Sequence, residues 1–275
     1  MEKTTEQTFQ KNQTGKRKKE RVQRKDKQMK SHREFLKDSI RKVVDFSQTD
    51  QSRGIPPPSI EKPFDPASRR IPLPGREEIR KVVLGRDLFS AIAGRESRRT
   101  YSRAPLSRAE LAFLLWCTQG IRSIPSPGIS LRTVPSAGAR HSFETYLFVR
   151  NVTDLEKGLY RYLPVEHELV FVREVEKLES SLVSACFGQG FVGSADVVFV
   201  WAAIPYRMEW RYGRSAHRVI LMDAGHVCQN LYLACEGIKA GTCAVAAYDQ
   251  EEMDRLTGLD GEDEFVVYLA PVGKI

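Results

Sequence analysis

The sequence predicts an α+β fold in which helices surround a central, mostly antiparallel sheet. Strand-like and helix-like segments are interspersed without strict βαβ alternation, and no internal repeat is present. A near-continuous β-branched and aromatic run from Asp196 to Ile204 has the pattern of a strand covered on both faces, which places it at the centre of the sheet.

In chain order, residues 1–30 hold eleven Lys or Arg, four Asp or Glu and almost no large apolar side chains. Such a segment cannot bury enough surface to offset its chain entropy, and a disordered basic tail is expected. Residues 31–78 read as a short helix followed by an extended Pro-rich arm. Phe35, Leu36, Ile40, Val43 and Val44 recur at helical spacing, the turn-forming run Ser52 to Pro58 follows, and the arm reaches to about Pro74. Residues 79–275 form the folded body. Ser107 with Glu110 is a capping box opening an apolar helix that stops at Gly120. Strands are expected at Glu144–Val149, Gly158–Tyr162, Glu168–Arg173, Thr242–Ala246 and Phe265–Val272. A long helix spans Val219 to Ile238, and Asp249 with Glu252 caps a shorter one.

The chain has 275 residues, 41% of them hydrophobic, and a formal net charge of +8. That charge alone suggests a nucleic-acid binder, yet +7 of it lies in residues 1–30 and +1 in the remainder. The tail supports at most weak, salt-sensitive contact with nucleic acid, and no specific nucleic-acid binding is expected. The five cysteines are odd in number and form no C-x-x-C pair, so reduced, buried thiols and no metal site are expected. The longest uncharged apolar stretch, Val197–Tyr206, is too short to cross a bilayer, and a soluble cytoplasmic protein is expected.

Gly188-x-Gly190-x-x-Gly193 has the spacing of a dinucleotide fingerprint, but it follows a helical segment and leads into a strand, the reverse of the order a pyrophosphate site needs. It reads as a helix-to-strand connection. Arg95-Glu96-Ser97-Arg98-Arg99 offers two guanidinium groups four residues apart with a hydroxyl between them, which suits a phosphate monoester; by spacing alone a solvated basic turn has the same pattern. Pro135-Ser136-Ala137-Gly138-Ala139-Arg140-His141 is a turn of small residues that a flat ligand could approach closely.

Read with Asp223 to Tyr232, Ala246-Ala247-Tyr248-Asp249 and Pro271-Val272-Gly273-Lys274, these elements resemble the nitroreductase superfamily, and within it the SagB/ThcOx-type dehydrogenases, over roughly residues 86–274. The resemblance implies a nitroreductase-like fold, FMN as cofactor and a homodimer with flavin sites shared between subunits. Arg95, Glu96, Ser97 and Arg99 then fall at the phosphate and ribityl chain, and Lys274 is the basic residue that closes on the same phosphate. Pro135, Ser136, Ala137 and Gly138 lie near the flavin ring, often across the dimer interface. Ala246 and Ala247 fall where the family offers a backbone N–H to flavin N5. Arg211-Tyr212 stands where azoline-oxidising members carry a Lys-Tyr pair, which makes both catalytic candidates. Arginine stays protonated at ordinary pH and cannot serve as the general base a desolvated lysine can; on the residues alone, Trp210 and Tyr212 can equally be packing residues.

The function expected is hydride transfer between FMN and a small or peptidic substrate, with NAD(P)H a possible reductant. The narrower alternative is thiazoline or oxazoline oxidation in modified-peptide biosynthesis.

Overall fold

A computed structural model describes residues 29–275. The expected tail therefore lies outside the described residues except for its last two. The chain divides into two compact units, with the boundary between Asp45 and Phe46. In the first, residues 29–34 are helical and a 3-10 helix spans Asp38–Lys42, with Phe35, Leu36 and Val43 exposed.

The second unit is built on a seven-stranded sheet. In chain order its strands are β1 (Arg70–Pro72), β4 (Phe143–Val149), β5 (Gly158–Leu163), β6 (Glu168–Arg173), β7 (Val197–Ala203), β8 (Ala240–Thr242) and β9 (Phe265–Lys274). They lie in the order β1-β6-β5-β4-β7-β9-β8, and every neighbouring pair is antiparallel. All seven positions of both β4 and β7 are buried. Their alternating side chains feed two separate cores. Leu147, Val149, Phe199 and Trp201 pack with the helices α3 (Arg108–Gln119) and α7 (Ala216–Glu236). Tyr146, Phe148, Val198 and Val200 pack on the opposite face with α4 (Leu178–Ala185), α5 (Gly190–Ser194) and α8 (Gln250–Thr257). At about 1.5–3 kcal/mol per fully buried large apolar side chain, the two cores are the main favourable term in this unit.

The capping box of α3 is formed, with the Ser107 side chain taking the Glu110 N–H at 3.2 Å. Asp249 likewise caps α8 through the Glu252 N–H at 2.9 Å. The remaining helices are α1 (Arg76–Val82), α2 (Leu88–Gly94) and α6 (Tyr206–Tyr212), and a separate hairpin pairs β2 (Ile121–Ser126) with β3 (Ile129–Arg132). One strand expectation shifts. Residues 243–246 leave the ladder because the Ala244 N–H donates to the Tyr232 hydroxyl at 2.9 Å, and only Val245 bridges back to Leu269.

Residues 46–78 pack within the same unit as the body. β1 pairs with β6, and residues 60–63 are held by buried charged side chains instead of a strand partner. The Arg132 guanidinium donates to Ile60 O at 2.6 Å, that of Arg161 to Pro63 O at 3.1 Å, and the Lys62 N–H to Glu144 at 2.9 Å. Glu144 also receives Arg207 at 2.6 Å, so its buried charge is compensated. Glu61 is different. It accepts the Val165 N–H at 3.0 Å, while burial, with Glu166 and Glu144 nearby, pushes its carboxyl up to about 8.

A carboxyl with a raised folded-state pKa keeps its proton where the unfolded chain has lost it, so its contribution to stability falls as pH rises from about 4.5 to about 8. Glu61→Gln removes this dependence while keeping an acceptor for Val165. Melting curves should show wild type losing more Tm than the variant between pH 6 and 8.5; parallel pH profiles would contradict the assignment.

Candidate functional site

The arginine motif begins where α2 ends. Arg95 is the C-cap of α2, and the segment after it lies along β8, with Ser97 bridging Thr242 and the Arg98 N–H donating to Thr242 O at 2.9 Å. This close approach needs Gly241, where a Cβ would stand 2.7 Å from the Arg98 side chain. The three arginines then divide. Arg98 is ion-paired, with Glu96 at 2.6 Å and Glu236 at 3.9 Å. Arg95 and Arg99 have no acidic partner among the described residues; their guanidinium groups stand 5.3 Å from the Tyr232 ring centroid and 5.7 Å from that of Phe191. The Ser97 hydroxyl is 3.0 Å from the Tyr232 hydroxyl, which also accepts the Ala244 N–H. Two uncompensated guanidinium groups and a hydroxyl within one turn form a donor set suited to a phosphate.

Ala246 and Ala247 are exposed just beyond, and neither N–H donates to a protein acceptor among the described residues. Gln189 holds this segment by donating from Nε2 to Ala247 O at 2.8 Å and to Cys186 O at 2.9 Å. The glycine-rich 188–193 stretch follows α4 and precedes β7, as its order predicts, but Gly190–Ser194 between them is the short helix α5 instead of an open connection. The stretch touches the site through Gln189 and Phe191.

Two predicted members do not join the cluster. Glu96 turns to Arg98, and a carboxylate facing a phosphate would be repelled by it. The Lys274 ammonium is bonded to Glu110 at 2.6 Å and Ile238 O at 2.5 Å, so its charge is already neutralised inside the fold.

A second cluster forms around the small-residue turn. Ala137–Ala139 is one turn of 3-10 helix interrupted by Gly138 at φ 58°. The Ala137 N–H donates to Asp223 of α7 at 3.3 Å, and the Ser136 hydroxyl accepts the His141 N–H at 2.9 Å. Burial raises the Asp223 carboxyl, opposed by the bonds from Ser136 and Ala137. The exposed face of Gly138 meets the Arg211-Tyr212 pair, since a Cβ there would lie 2.7 Å from the Tyr212 hydroxyl and 2.9 Å from Arg211. The catalytic candidates and the predicted ring-facing turn are therefore neighbours, with Pro135 exposed beside them. Arg211 has no acidic partner among the described residues. Burial and the Arg132 charge push His141 down to about 3.

The two clusters face apart. Asp223 and Tyr232 are nine residues apart on α7, which is about 13.5 Å along the axis and half a turn around it. A cavity of about 750 Å³ lined by α1, α2, α3 and α7, including Trp116 and Asn230, holds none of the predicted site residues.

The Nitroreductase family model matches residues 92–274. The chain belongs to the nitroreductase family. It is accordingly an oxidoreductase of that superfamily, and its fold is the nitroreductase fold. The candidate nitroreductase MJ1384 of Methanocaldococcus jannaschii is 33% identical over 204 residues, covering 74% of this chain and 96% of that protein. The microcin B17-processing protein McbC of Escherichia coli is 26% identical over 210 residues, 69% of this chain and 75% of that one. Among solved structures, a candidate nitroreductase of Ralstonia eutropha JMP134 superposes with a TM-score of 0.62 at 25% identity, covering 80% of this chain and 93% of the other. A chain of the E. coli microcin synthetase McbBCD complex gives 0.55 at 21% identity, covering 78% and 85%. Among the described residues of this nitroreductase no helix is long and apolar enough to cross a membrane.

Tyr232 and Asp223 were not singled out from the sequence, although both lie in a motif that was. Their spacing of nine along a helix is the signal that places them on opposite faces.

Gly138→Ala combines left-handed backbone strain of about 1 kcal/mol with the contacts to Tyr212 and Arg211. Calorimetry should show a folded protein with Tm lowered by roughly 2–8 °C, at about 2–4 °C per kcal/mol for a unit of this size. An unchanged Tm would show that the turn does not press on α6.

Proposed function

We propose that this nitroreductase is an FMN-dependent oxidoreductase of the SagB type. The observation that carries the reading is the division of the arginines, with Arg98 compensated and Arg95 and Arg99 left without an acidic partner beside the Ser97 hydroxyl. This donor set fits the FMN phosphate, and the unbonded N–H groups of Ala246 and Ala247 fit the hydrogen-bond acceptors of the ring. Bound FMN supplies a two-electron carrier that takes up or gives hydride at N5. Against it the chain's own residues bind the phosphate, present backbone donors and position a second reactant. A structure of a family member from Exiguobacterium sibiricum was solved in complex with FMN, which agrees with this cofactor.

The site is a two-chain site in this reading. The phosphate cluster and the Ser136–Gly138 turn with Arg211-Tyr212 lie on opposite sides of α7, so a turn contributed by a partner copy completes each flavin site. Apolar surface suited to such a partner is present on α2, where Phe89 is 81% and Leu88 67% exposed, and on α7, where Leu221, Met222 and Gly225 are exposed together. In this reading residues 79–275 form the FMN-binding domain, and the part of the expected arm at residues 46–78 packs in the same unit with it.

In catalysis Arg211 holds an anionic group of the second reactant, and the Tyr212 phenol donates a proton or hydrogen bond to it. The reactant is small or peptidic, and NAD(P)H serves as reductant. Azoline oxidation in a modified peptide is the second reading, favoured by the likeness to a microcin-processing protein. Arg211 in place of lysine argues against it, because a guanidinium does not take up the proton that azoline oxidation releases.

The wild-type protein should purify yellow with about one FMN per chain. Arg95→Ala or Arg99→Ala should each weaken FMN binding by about 10-fold or more, on the scale of a charge-assisted hydrogen bond of roughly 1.5–3 kcal/mol. Lys274→Ala should leave the FMN affinity within about 2-fold, since its ammonium is engaged by Glu110. A colourless protein that cannot be reconstituted with FMN would overturn the reading.

A further inference from the structure

The arm that precedes the body runs along α6, the helix that ends in the Arg211-Tyr212 pair. Asp50 accepts the Tyr206 hydroxyl at 2.8 Å, at the N-terminal end of that helix. Near its C-terminal end, the Gln51 N–H donates to Trp210 O at 2.9 Å, and the Trp210 indole N–H donates to Ile55 O at 2.9 Å. Trp210 is therefore bonded to the arm from both its backbone and its side chain.

The indole also reaches the turn. Its ring lies 4.7 Å from the guanidinium carbon of Arg140, the residue that closes the Ala137–Ala139 turn. Arg140 donates to Arg207 O at 3.2 Å and to Gly128 O at 2.8 Å, so it is anchored in α6 and in the β2–β3 hairpin at once. Trp210 is only 7% exposed, and burial of its stacked partner lowers the Arg140 pKa. A single side chain thus joins the arm, α6 and the turn, and the next two residues are the ones Gly138 touches.

We infer that Trp210 is a positioning residue for the second-reactant site: the arm, through Ile55 and Gln51, fixes Trp210, and Trp210 fixes how Arg211 and Tyr212 stand against the Ser136–Gly138 turn. This rests on the reading of Arg211 as the anion-holding residue. It assigns the arm a part in ligand recognition, where the sequence shows only a Pro-rich extension. Displacement of α6 by even a fraction of its diameter moves Arg211 relative to Gly138, because a Cβ at Gly138 would already be within 3 Å of both side chains of the pair. The phosphate cluster shares none of these contacts, so the arm acts mainly on the second reactant while FMN stays held at its phosphate.

The test uses the full-length, FMN-loaded protein, with benzoate as an anionic probe titrated against the flavin absorption spectrum. Trp210→Phe keeps an aromatic side chain but replaces the indole, deleting the bond to Ile55 and weakening the stack on Arg140; Tyr206→Phe removes the bond to Asp50 at a largely exposed hydroxyl. Wild type should bind benzoate with a flavin difference spectrum. Trp210→Phe should weaken benzoate by about 5-fold, the scale of one neutral hydrogen bond, with a changed difference spectrum and an FMN Kd within about 2-fold of wild type. Tyr206→Phe should weaken benzoate by a smaller factor. Benzoate affinity that is the same in all three proteins, or absent in wild type, would overturn the inference. So would parallel loss of FMN and benzoate with a fall in Tm, which marks a packing role. A wild type that binds no FMN fails the flavin reading itself, a separate result.

Discussion

One helix constrains where everything in this site can be. α7 carries Asp223, which holds the small-residue turn, and Tyr232, which holds Ser97 and Ala244, and the two are half a helical turn apart. The helix backbone lies between the two clusters it supports. In the proposed reading, that separation calls for a second copy, whose turn completes each flavin site. The exposed apolar residues of α2 and α7 are consistent with that demand, because a surface left bare in one chain is covered in a pair.

The distribution of charge follows the same division. Buried acids are spent on structural arginines: Glu144 on Arg207 and Arg161, and Glu236 on Arg86 and Arg98. Arg95, Arg99 and Arg211 have no such acid among the described residues and stand at the two candidate ligand surfaces. In the proposed reading these are the guanidinium groups that meet anions, whereas a paired one such as Arg98 serves the fold. Lys274 belongs with the second kind through Glu110.

Much of the sheet was legible because a doubly covered strand needs a long apolar run. β7 and β4 were placed to within a residue at each end, and β6 at its observed bounds. The β2–β3 hairpin was missed, since its first strand contains Pro125 and is almost wholly exposed, so no alternation marks it. In the site, the spacing of Arg95, Ser97 and Arg99 suits a phosphate monoester and a solvated basic turn alike, and it is the resemblance to the nitroreductase superfamily that singles them out. The pairing of Lys274 with Glu110 was not legible, because Glu110 is 164 residues away in sequence and no local pattern reports a pairing across the fold. The nearness of Gly138 to Arg211-Tyr212 is also long-range. It is visible only once the turn and α6 are folded together.

The shared-site account is tested most directly by mixing subunits. One variant loses the phosphate cluster through Arg95→Ala with Arg99→Ala, and the other loses the ring-facing turn through Gly138→Val; neither should retain FMN alone. Co-refolded in equal amounts, half the dimers are hybrids, and each hybrid has one site free of both substitutions. Bound flavin should then return to about a quarter of the wild-type amount per chain, as expected when each site draws on both copies. A mixture that stays colourless while forming dimers would contradict the account and place each flavin within a single chain.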